Sequence, residues 1–160
     1  MRSYFLLALL MFSLLSIAQN KHLYLKSGKT MLPETPVLSD IAAPRNHEIV
    51  AGKYYRYIQF HQIPNQDERE AIEAMGIELL DYIPKNTYIA AIPQSFNFEN
   101  LEGYDIRSID VIPAAHKMDT RLSEKPLPSW ATEKAGYIKA DVNFQKNVTT
   151  DLMVQALTSE

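Results

Sequence analysis

Side chains that could act as nucleophiles, metal ligands or general bases are dispersed along the chain. The imidazole groups belong to His22, His47, His61 and His116. None of them lies in an HExxH motif or at a paired metal-ligand spacing, so we interpret all four as solvated surface residues. No serine lies in a Gly-x-Ser-x-Gly motif, cysteine is absent, and the five glycines are isolated from one another. The sequence therefore predicts no catalytic residue, no metal site and no cofactor.

Acidic residues are most concentrated where a helix is predicted to begin, at Asp67, Glu68, Glu70 and Glu73. Nothing in the surrounding pattern predicts the burial that would raise the pKa of a carboxyl group there. We interpret these residues as a solvated helix face rather than as an acid/base pair.

Four tyrosines are better candidates for contacts with another protein than for catalysis. Alternate residues of a strand share a face, so Tyr55 and Tyr57 are expected to point away from the predicted helices. Tyr82 or Tyr88 is expected to join them. A tyrosine buries its ring well and keeps a polar hydroxyl, which suits a surface that is exposed in one state and covered in another. We predict a docking face, and the alternative is ordinary strand propensity on a solvated face.

Composition limits the class of protein. The chain has 160 residues, of which 46% are hydrophobic and 22% are charged, and its formal net charge is −3. The absence of cysteine excludes a disulfide scaffold, a thiolate metal site and a cysteine nucleophile. The acidic balance disfavours nucleic-acid binding, because that requires a concentrated basic surface. The length corresponds to about one domain.

The N-terminus has the features of an export signal. Arg2 supplies the positive start, residues 5–15 are almost entirely apolar, and Ser16 and Ala18 are the small residues that a signal peptidase requires. We predict cleavage between Ala18 and Gln19, and hence an exported protein that is periplasmic, secreted or at the cell surface. The alternative is a membrane anchor. A helix rising 1.5 Å per residue needs about 20 apolar residues to cross a bilayer, so we predict no stable membrane span.

Residues 53–113 alternate between strand and helix patterns. Residues 64–67, Pro-Asn-Gln-Asp, favour the start of a helix, and Gly76 suits its end. Residues 84–86, Pro-Lys-Asn, predict a turn, and a short helix is expected to end at Gly103. The predicted strands are 54–60, 77–83, 87–92 and 106–112. The order β-α-β-β-α-β predicts an α+β fold, a ferredoxin-like split βαβ sandwich with both helices on one face.

The flanking segments differ from this sandwich. Before it, three prolines interrupt a polar arm in which residues 23–25 are expected to form one short strand. After it, residues 137–144 repeat the pattern of the first strand and residues 149–157 have an apolar helical face. We therefore predict the start of a second, similar module in a chain that is a fragment. The predicted organisation is a signal peptide at 1–18, a connecting arm at 19–52, a sandwich at 53–118, a linker at 119–136 and an incomplete second module at 137–160.

Two runs carry a resemblance to a known family. The strand YRYIQF at 55–60 is followed at 74–89 by AMGIELLDYIPKNTYI, and residues 109–113 and 116–118 read IDVIP and HKM. Residues 54–118 resemble the N-terminal prodomain of bacterial subtilisin-like serine peptidases of the fervidolysin-like type. In that family a run Gly-x-x-Leu-x-x-Tyr-Ile-Pro-x-Asn-x-Tyr joins the second and third strands.

The resemblance implies an intramolecular chaperone and inhibitor of a subtilisin-like catalytic domain, in cis or in trans. The face expected to carry Tyr55, Tyr57, Tyr82 and Tyr88 would pack on that domain. A sandwich of this size buries only about 60% of its unfolded surface, so docking would stabilise it. The Asp, His and Ser motifs of the peptidase are absent, so we predict that this chain is not itself an enzyme. The alternative function is a free-standing secreted protein-interaction module.

Overall fold

The computed structural model describes residues 21–35, 37–122, 127, 129–134 and 137–158. The strands are β1 (His22–Leu25), β2 (Gly28–Met31), β3 (Lys53–Phe60), β4 (Glu78–Ile83), β5 (Thr87–Pro93), β6 (Ile106–Val111), β7 (Thr132–Lys134) and β8 (Tyr137–Ile138). The helices are α1 (Gln66–Ala74), α2 (Ala114–Lys117) and α3 (Thr150–Thr158), with short 3-10 helices at 38–40, 46–48, 98–101, 120–122 and 129–131. The predicted signal peptide and its cleavage site at Ala18 and Gln19 lie outside the described residues.

Four antiparallel strands form the central sheet in the order β4-β5-β3-β6. Strand β3 pairs with β5, placing Tyr57 opposite Ile89, and with β6, placing Ile58 opposite Ile109. Helix α1 connects β3 to β4, the 3-10 helix at 98–101 connects β5 to β6, and both pack on one face. The domain is therefore α+β, a ferredoxin-like split βαβ sandwich, as the strand order predicts. The second helical element is one 3-10 turn.

Helix α1 begins and ends where its sequence favours both events. The Asn65 side chain accepts a hydrogen bond from the Glu68 N–H at 3.0 Å, and Glu68 accepts one from the Asn65 N–H at 2.8 Å. This reciprocal capping box satisfies two N–H groups that have no partner inside the helix. Gly76 follows the helix with φ at +97°, and a Cβ there would lie 3.2 Å from the Pro93 side chain. Glycine is therefore favoured over any residue with a Cβ where the chain turns into β4.

The helix-covered face of the sheet carries the main hydrophobic core. Alternate residues of β3 enter it, and Ile72 of α1 and Leu101 of the 3-10 helix cover them. The buried members are Tyr54, Ile58, Phe60, Ile72, Ile77, Tyr88, Ala90, Ile92, Phe98, Leu101 and Ile109. Each fully buried aliphatic side chain contributes about 1.5–3 kcal/mol relative to exposure.

The arm that precedes the sandwich forms a layer on the opposite face. Strands β1 and β2 pair as an antiparallel hairpin, and we call residues 22–32 the hairpin cover. Leu23 and Leu32, 0% and 2% exposed, pack with Tyr57 and Ile112 in a second core. The predicted short strand at 23–25 is confirmed, and the structure adds its partner strand and its packing. The sandwich therefore has three layers: helices, sheet and hairpin.

Thr35, three residues after the hairpin cover, is hydrogen-bonded to the outer edge of β6. Its backbone N–H donates to the Arg107 carbonyl at 3.0 Å, and its hydroxyl accepts from the Ile109 N–H at 2.9 Å. An uncovered edge strand presents a row of unpaired backbone groups. Thr35 satisfies part of that row with groups of the same chain.

Residues 137–158 differ from the predicted second module. The prediction of a strand at 137–144 is wrong, because only Tyr137–Ile138 is strand, paired with Thr132–Lys134. Val142 is exposed, and no apolar layer from the described residues covers it. A strand pattern without a neighbouring strand or a core to face does not form a sheet. The predicted helix at 149–157 is confirmed as α3.

Candidate docking surface

The face opposite the helices carries Tyr55 and Tyr57, as the alternation along β3 predicts. Tyr57 is only 2% exposed because the hairpin cover lies over it. Burial raises the pKa of the Tyr57 hydroxyl above its ordinary value, since the charged form would lose its hydration. The Tyr57 hydroxyl lies 3.5 Å from Nδ1 of His116, and the centroids of the two rings are 6.0 Å apart. Tyr57 therefore belongs to the second core and is not an open docking residue.

Tyr82 and Tyr88 lie on the helix-covered face, so the prediction that either joins Tyr55 and Tyr57 is wrong. Tyr88 is buried in the main core, 6.1 Å between ring centroids from Phe60. Tyr82 pairs with Tyr88 across β4 and β5, its ring 5.2 Å from that of Tyr88, and it remains 48% exposed.

The physical reason for this placement of Tyr82 is a register shift in β4. The shift falls between Leu79 and Tyr82. In a regular strand, residues three positions apart point to opposite faces. Because an irregularity inserts an extra residue, Leu79 lies opposite Ala90 and Tyr82 lies opposite Tyr88, so both share the helix-covered face. Sequence alternation alone cannot reveal such a shift, and the four tyrosines do not form one surface.

Tyr55 is held by a polar cluster that we call the Tyr55 clasp, consisting of Lys53, Tyr55, Glu78 and Asn147. The Tyr55 hydroxyl donates to Oδ1 of Asn147 at 3.0 Å, and Nδ2 of Asn147 donates to Glu78 at 2.8 Å. Lys53 forms a salt bridge with Glu78. Ala91 of β5 lies between Tyr55 of β3 and Glu78 of β4, opposite both of them. Asn147 reaches across this small residue to contact both side chains.

Electrostatics in the Tyr55 clasp follow from these contacts. The hydrogen bond from Lys53 lowers the pKa of Glu78 below its ordinary value, and the hydrogen bond from Asn147 acts in the same direction. Burial raises the pKa of Tyr55, and the nearby Glu78 charge adds to that rise. The clasp is therefore a carboxylate, an ammonium and a neutral phenol whose hydrogen bonds stabilise one another. It binds the C-terminal part of the chain to the sheet.

A buried arginine supports the same face at its other end. Arg107 is 5% exposed and donates to the Leu32 carbonyl at 3.0 Å and to the Gln59 side chain. Gln59 in turn donates to the Lys85 carbonyl at 2.9 Å. Glu34 forms a longer ion pair with Arg107 at 3.6 Å. The network connects the hairpin cover, β3 and β6, and no sequence pattern pointed to it.

The segment that follows β6 exposes charged and apolar side chains together. It includes α2, Met118, which is 51% exposed, and the pair Asp119–Arg121, whose side chains lie 2.8 Å apart. Arg121 lowers the pKa of Asp119 well below its usual range through hydrogen bonds from its guanidinium and backbone. We call residues 113–122 the exit segment.

The other residues considered from sequence lie on separate elements. His22 is in β1, His47 in the 3-10 helix at 46–48, His61 directly after β3 and His116 in α2. Among the described residues, no three histidine, aspartate or glutamate side chains are grouped as metal ligands. Within the same part of the chain, no helix is both long and apolar enough to cross a bilayer.

The fold and these contacts define a small three-layered α+β domain with a covered sheet face. The chain belongs to the family described as a domain of unknown function, DUF8729, whose model matches residues 24–113. That match begins inside β1 and ends after β6, so it includes residues 24–32 of the hairpin cover together with the four-stranded sheet. No curated protein and no solved structure matches the chain.

Proposed function

We propose that this chain carries the prodomain of an exported subtilisin-like serine peptidase and acts as a chaperone and inhibitor of its catalytic domain. The proposal rests on the ferredoxin-like sandwich together with the resemblance at residues 54–118. The run at 74–89 that carries the resemblance begins at the last residue of α1, contains all of β4 and the turn after it, and ends within β5. In this proposal the chain binds a protease and does not itself catalyse hydrolysis.

The observation that carries the proposal is the connection from the last strand of the sandwich to the exit segment. Strand β6 lies at one edge of the sheet and leads through Pro113 into α2. The contact between Tyr57 and His116 holds the start of the exit segment against the sheet. Met118 beyond it is exposed, which suits a segment that reaches into a neighbouring cleft.

The positions of the tyrosines disfavour docking through a tyrosine-rich sheet face. Tyr57 is covered by the hairpin and Tyr88 is in the main core, so neither offers a free side chain to a partner. The exit segment, which is exposed, is therefore the proposed principal contact with the catalytic domain. A ligand that binds only the folded state stabilises it by mass action, so the complex would stabilise both domains.

An inhibition assay tests the proposal. The full chain is titrated into the cognate subtilisin-like catalytic domain, and the cleavage of a peptide substrate is followed. We expect turnover to fall as the chain is added and to approach zero at saturation. Undiminished turnover at saturating chain would contradict the inhibitory function.

A matched pair of methionine variants assigns the contact. Met118 in the exit segment and Met31 in the hairpin cover are 51% and 56% exposed. Introducing a charge at a buried interface position costs affinity, whereas a charge on a free surface does not. We expect Met118→Asp to weaken inhibition at least about tenfold, a loss of about 1.4 kcal/mol in binding, and Met31→Asp to leave it unchanged. Unchanged inhibition by Met118→Asp would show that the exit segment is not part of the interface.

A free-standing secreted interaction module is the second candidate, and the hairpin cover favours it. The second core buries Leu23, Leu32, Tyr57 and Ile112 without any partner protein. A domain stabilised in this way has less need of a protease to remain folded. Cooperative unfolding of the isolated chain, combined with no effect on any subtilisin-like peptidase, would favour this candidate over the prodomain.

A further inference from the structure

Two segments of the chain cover the sheet face opposite the helices, and they are held by different kinds of interaction. The hairpin cover lies over Tyr57. Residues 145–158, which we call the C-terminal cover, reach the same face at Tyr55 through the Tyr55 clasp.

The hairpin cover is attached through buried apolar side chains and through hydrogen bonds shielded from water. Leu23 and Leu32 are buried, and Arg107 donates to the Leu32 carbonyl from a buried position. The backbone continues to Thr35, which is hydrogen-bonded to the edge of β6. Removing this layer would expose a hydrophobic core to water, so it opens only when the domain unfolds.

The C-terminal cover is attached through polar groups that water can replace. The Asn147 side chain is hydrogen-bonded to Tyr55 and Glu78. Lys146 pairs with Asp81 at 2.5 Å, and their side chains are 72% and 45% exposed. None of the nine residues of α3 is buried. Val154 and Leu157 are each more than half exposed. Exposed ion pairs contribute little to stability, so few interactions oppose opening.

The packing beneath the C-terminal cover is also incomplete. The side-chain oxygen of Gln145 is buried and has no hydrogen-bond partner among the described residues. A cleft of about 220 Å³ separates Val148 and Leu152 from Val50 and Tyr55. An unpaired buried acceptor regains a hydrogen bond when water reaches it, so opening the cover relieves this penalty.

We infer that the C-terminal cover is a displaceable strap that opens while the sandwich and the hairpin cover remain folded. Opening breaks the two Asn147 hydrogen bonds and the Lys146–Asp81 pair, and it exposes Tyr55 together with the pair Lys53–Glu78. The chain thus has a closed state, in which this end of the sheet face is occupied by its own residues, and an open state, in which it is accessible. The inference concerns the chain alone and does not depend on a peptidase partner.

Hydrogen–deuterium exchange of the full chain tests the strap without any substitution. Amides of locally opening segments exchange faster than those that need global unfolding. We expect the amides of α3 to exchange at least about a hundredfold faster than those of β3 and β5. The amides of the hairpin cover should exchange at the same slow rate as those of the sheet. Equal protection of α3 and the sheet would overturn the inference.

A pair of asparagine variants tests the contact that closes the strap. Asn147→Ala removes the hydrogen bonds to Tyr55 and Glu78. Asn143→Ala makes the same change four residues earlier in the chain, at an exposed position. Nitration of each tyrosine is then mapped by peptide mass spectrometry. We expect Asn147→Ala to increase the nitration rate of Tyr55 about tenfold relative to Asn143→Ala, with Tyr57 unchanged beneath the hairpin cover. An unchanged rate at Tyr55, or an equal rise at Tyr57, would overturn the inference.

Discussion

The Arg107 guanidinium donates a hydrogen bond of 3.0 Å to the carbonyl oxygen of Leu32, a residue 75 positions earlier in the chain. This contact joins β6 to the hairpin cover, which lies on the sheet face opposite the helices. Since the backbone carbonyl accepts it, the contact depends on the position of the hairpin and not on the side chain at 32. Arg107 therefore links the N-terminal layer directly to the domain.

Replacing Arg107 tests that link. Arg107→Ala leaves the buried Leu32 carbonyl and the Gln59 side-chain oxygen without their donor, and we expect it to lower the free energy of unfolding by about 2–3 kcal/mol. Urea denaturation measures the change. Arg121→Ala, at an exposed arginine, is the control and should remain within about 0.5 kcal/mol of the natural chain. Similar losses in both variants would contradict the role given to Arg107.

The packing of the hairpin cover makes a second prediction. Leu23 is fully buried in the second core, so Leu23→Ala removes apolar contacts and leaves a cavity. We expect a loss of about 2–4 kcal/mol in the free energy of unfolding. Leu122→Ala is the control, because Leu122 is exposed in the exit segment. If Leu23→Ala unfolds at the same urea concentration as the control, the hairpin does not form a layer of the domain.

Backbone strain at Ala51 makes a third prediction, of opposite sign. Ala51 has φ at +51°, a left-handed conformation that disfavours any residue with a Cβ. We expect Ala51→Gly to raise the free energy of unfolding by about 0.5–1 kcal/mol. The same substitution inside α1, Ala71→Gly, should instead lower it by about 1 kcal/mol. Destabilisation by both glycines would show that Ala51 is not strained.

The Tyr55 clasp predicts a specific pH dependence. Because Lys53 lowers the pKa of Glu78, the folded state favours the charged carboxylate more than the unfolded state does. The resulting stability is present above the ordinary value of 4.5 and is lost as the pH falls through the lowered folded value. We expect the difference in unfolding free energy between the natural chain and Glu78→Gln to shrink as the pH falls below 4.5.

Lys53→Met provides the background that checks this assignment. Without the ammonium group, the pH dependence of the Glu78→Gln difference should largely disappear. A pH dependence of the same size in both backgrounds would show that Lys53 is not the main cause of the pKa shift.

The parts of the fold that could be predicted from the sequence depend on neighbouring residues. Asn65 and Glu68 predict the start of α1, Gly76 predicts its end, and the strand order predicts the sandwich. The parts that could not be predicted depend on contacts distant in sequence. Tyr55 and Asn147 are 92 residues apart, and hydrophobic periodicity carries no information about such a pair.

The tyrosine face shows how a local irregularity limits prediction. The alternation of side chains places Tyr55 and Tyr57 correctly, because β3 is regular between them. One register shift in β4 moves Tyr82 to the other face, and the unpredicted packing of the hairpin buries Tyr57. The predicted face of the sheet is therefore confirmed for Tyr55 and Tyr57 and is wrong for Tyr82 and Tyr88.

We propose that this domain binds a subtilisin-like catalytic domain, and direct binding is the most immediate test of that proposal. The full chain is titrated into the cognate catalytic domain, inactivated at its nucleophile so that no cleavage occurs, and the heat of binding is measured. We predict one-to-one binding with a Kd on the order of 1 μM or tighter, equivalent to about −8 kcal/mol. No binding heat, together with separate elution of the two proteins at concentrations well above that value, would contradict the account.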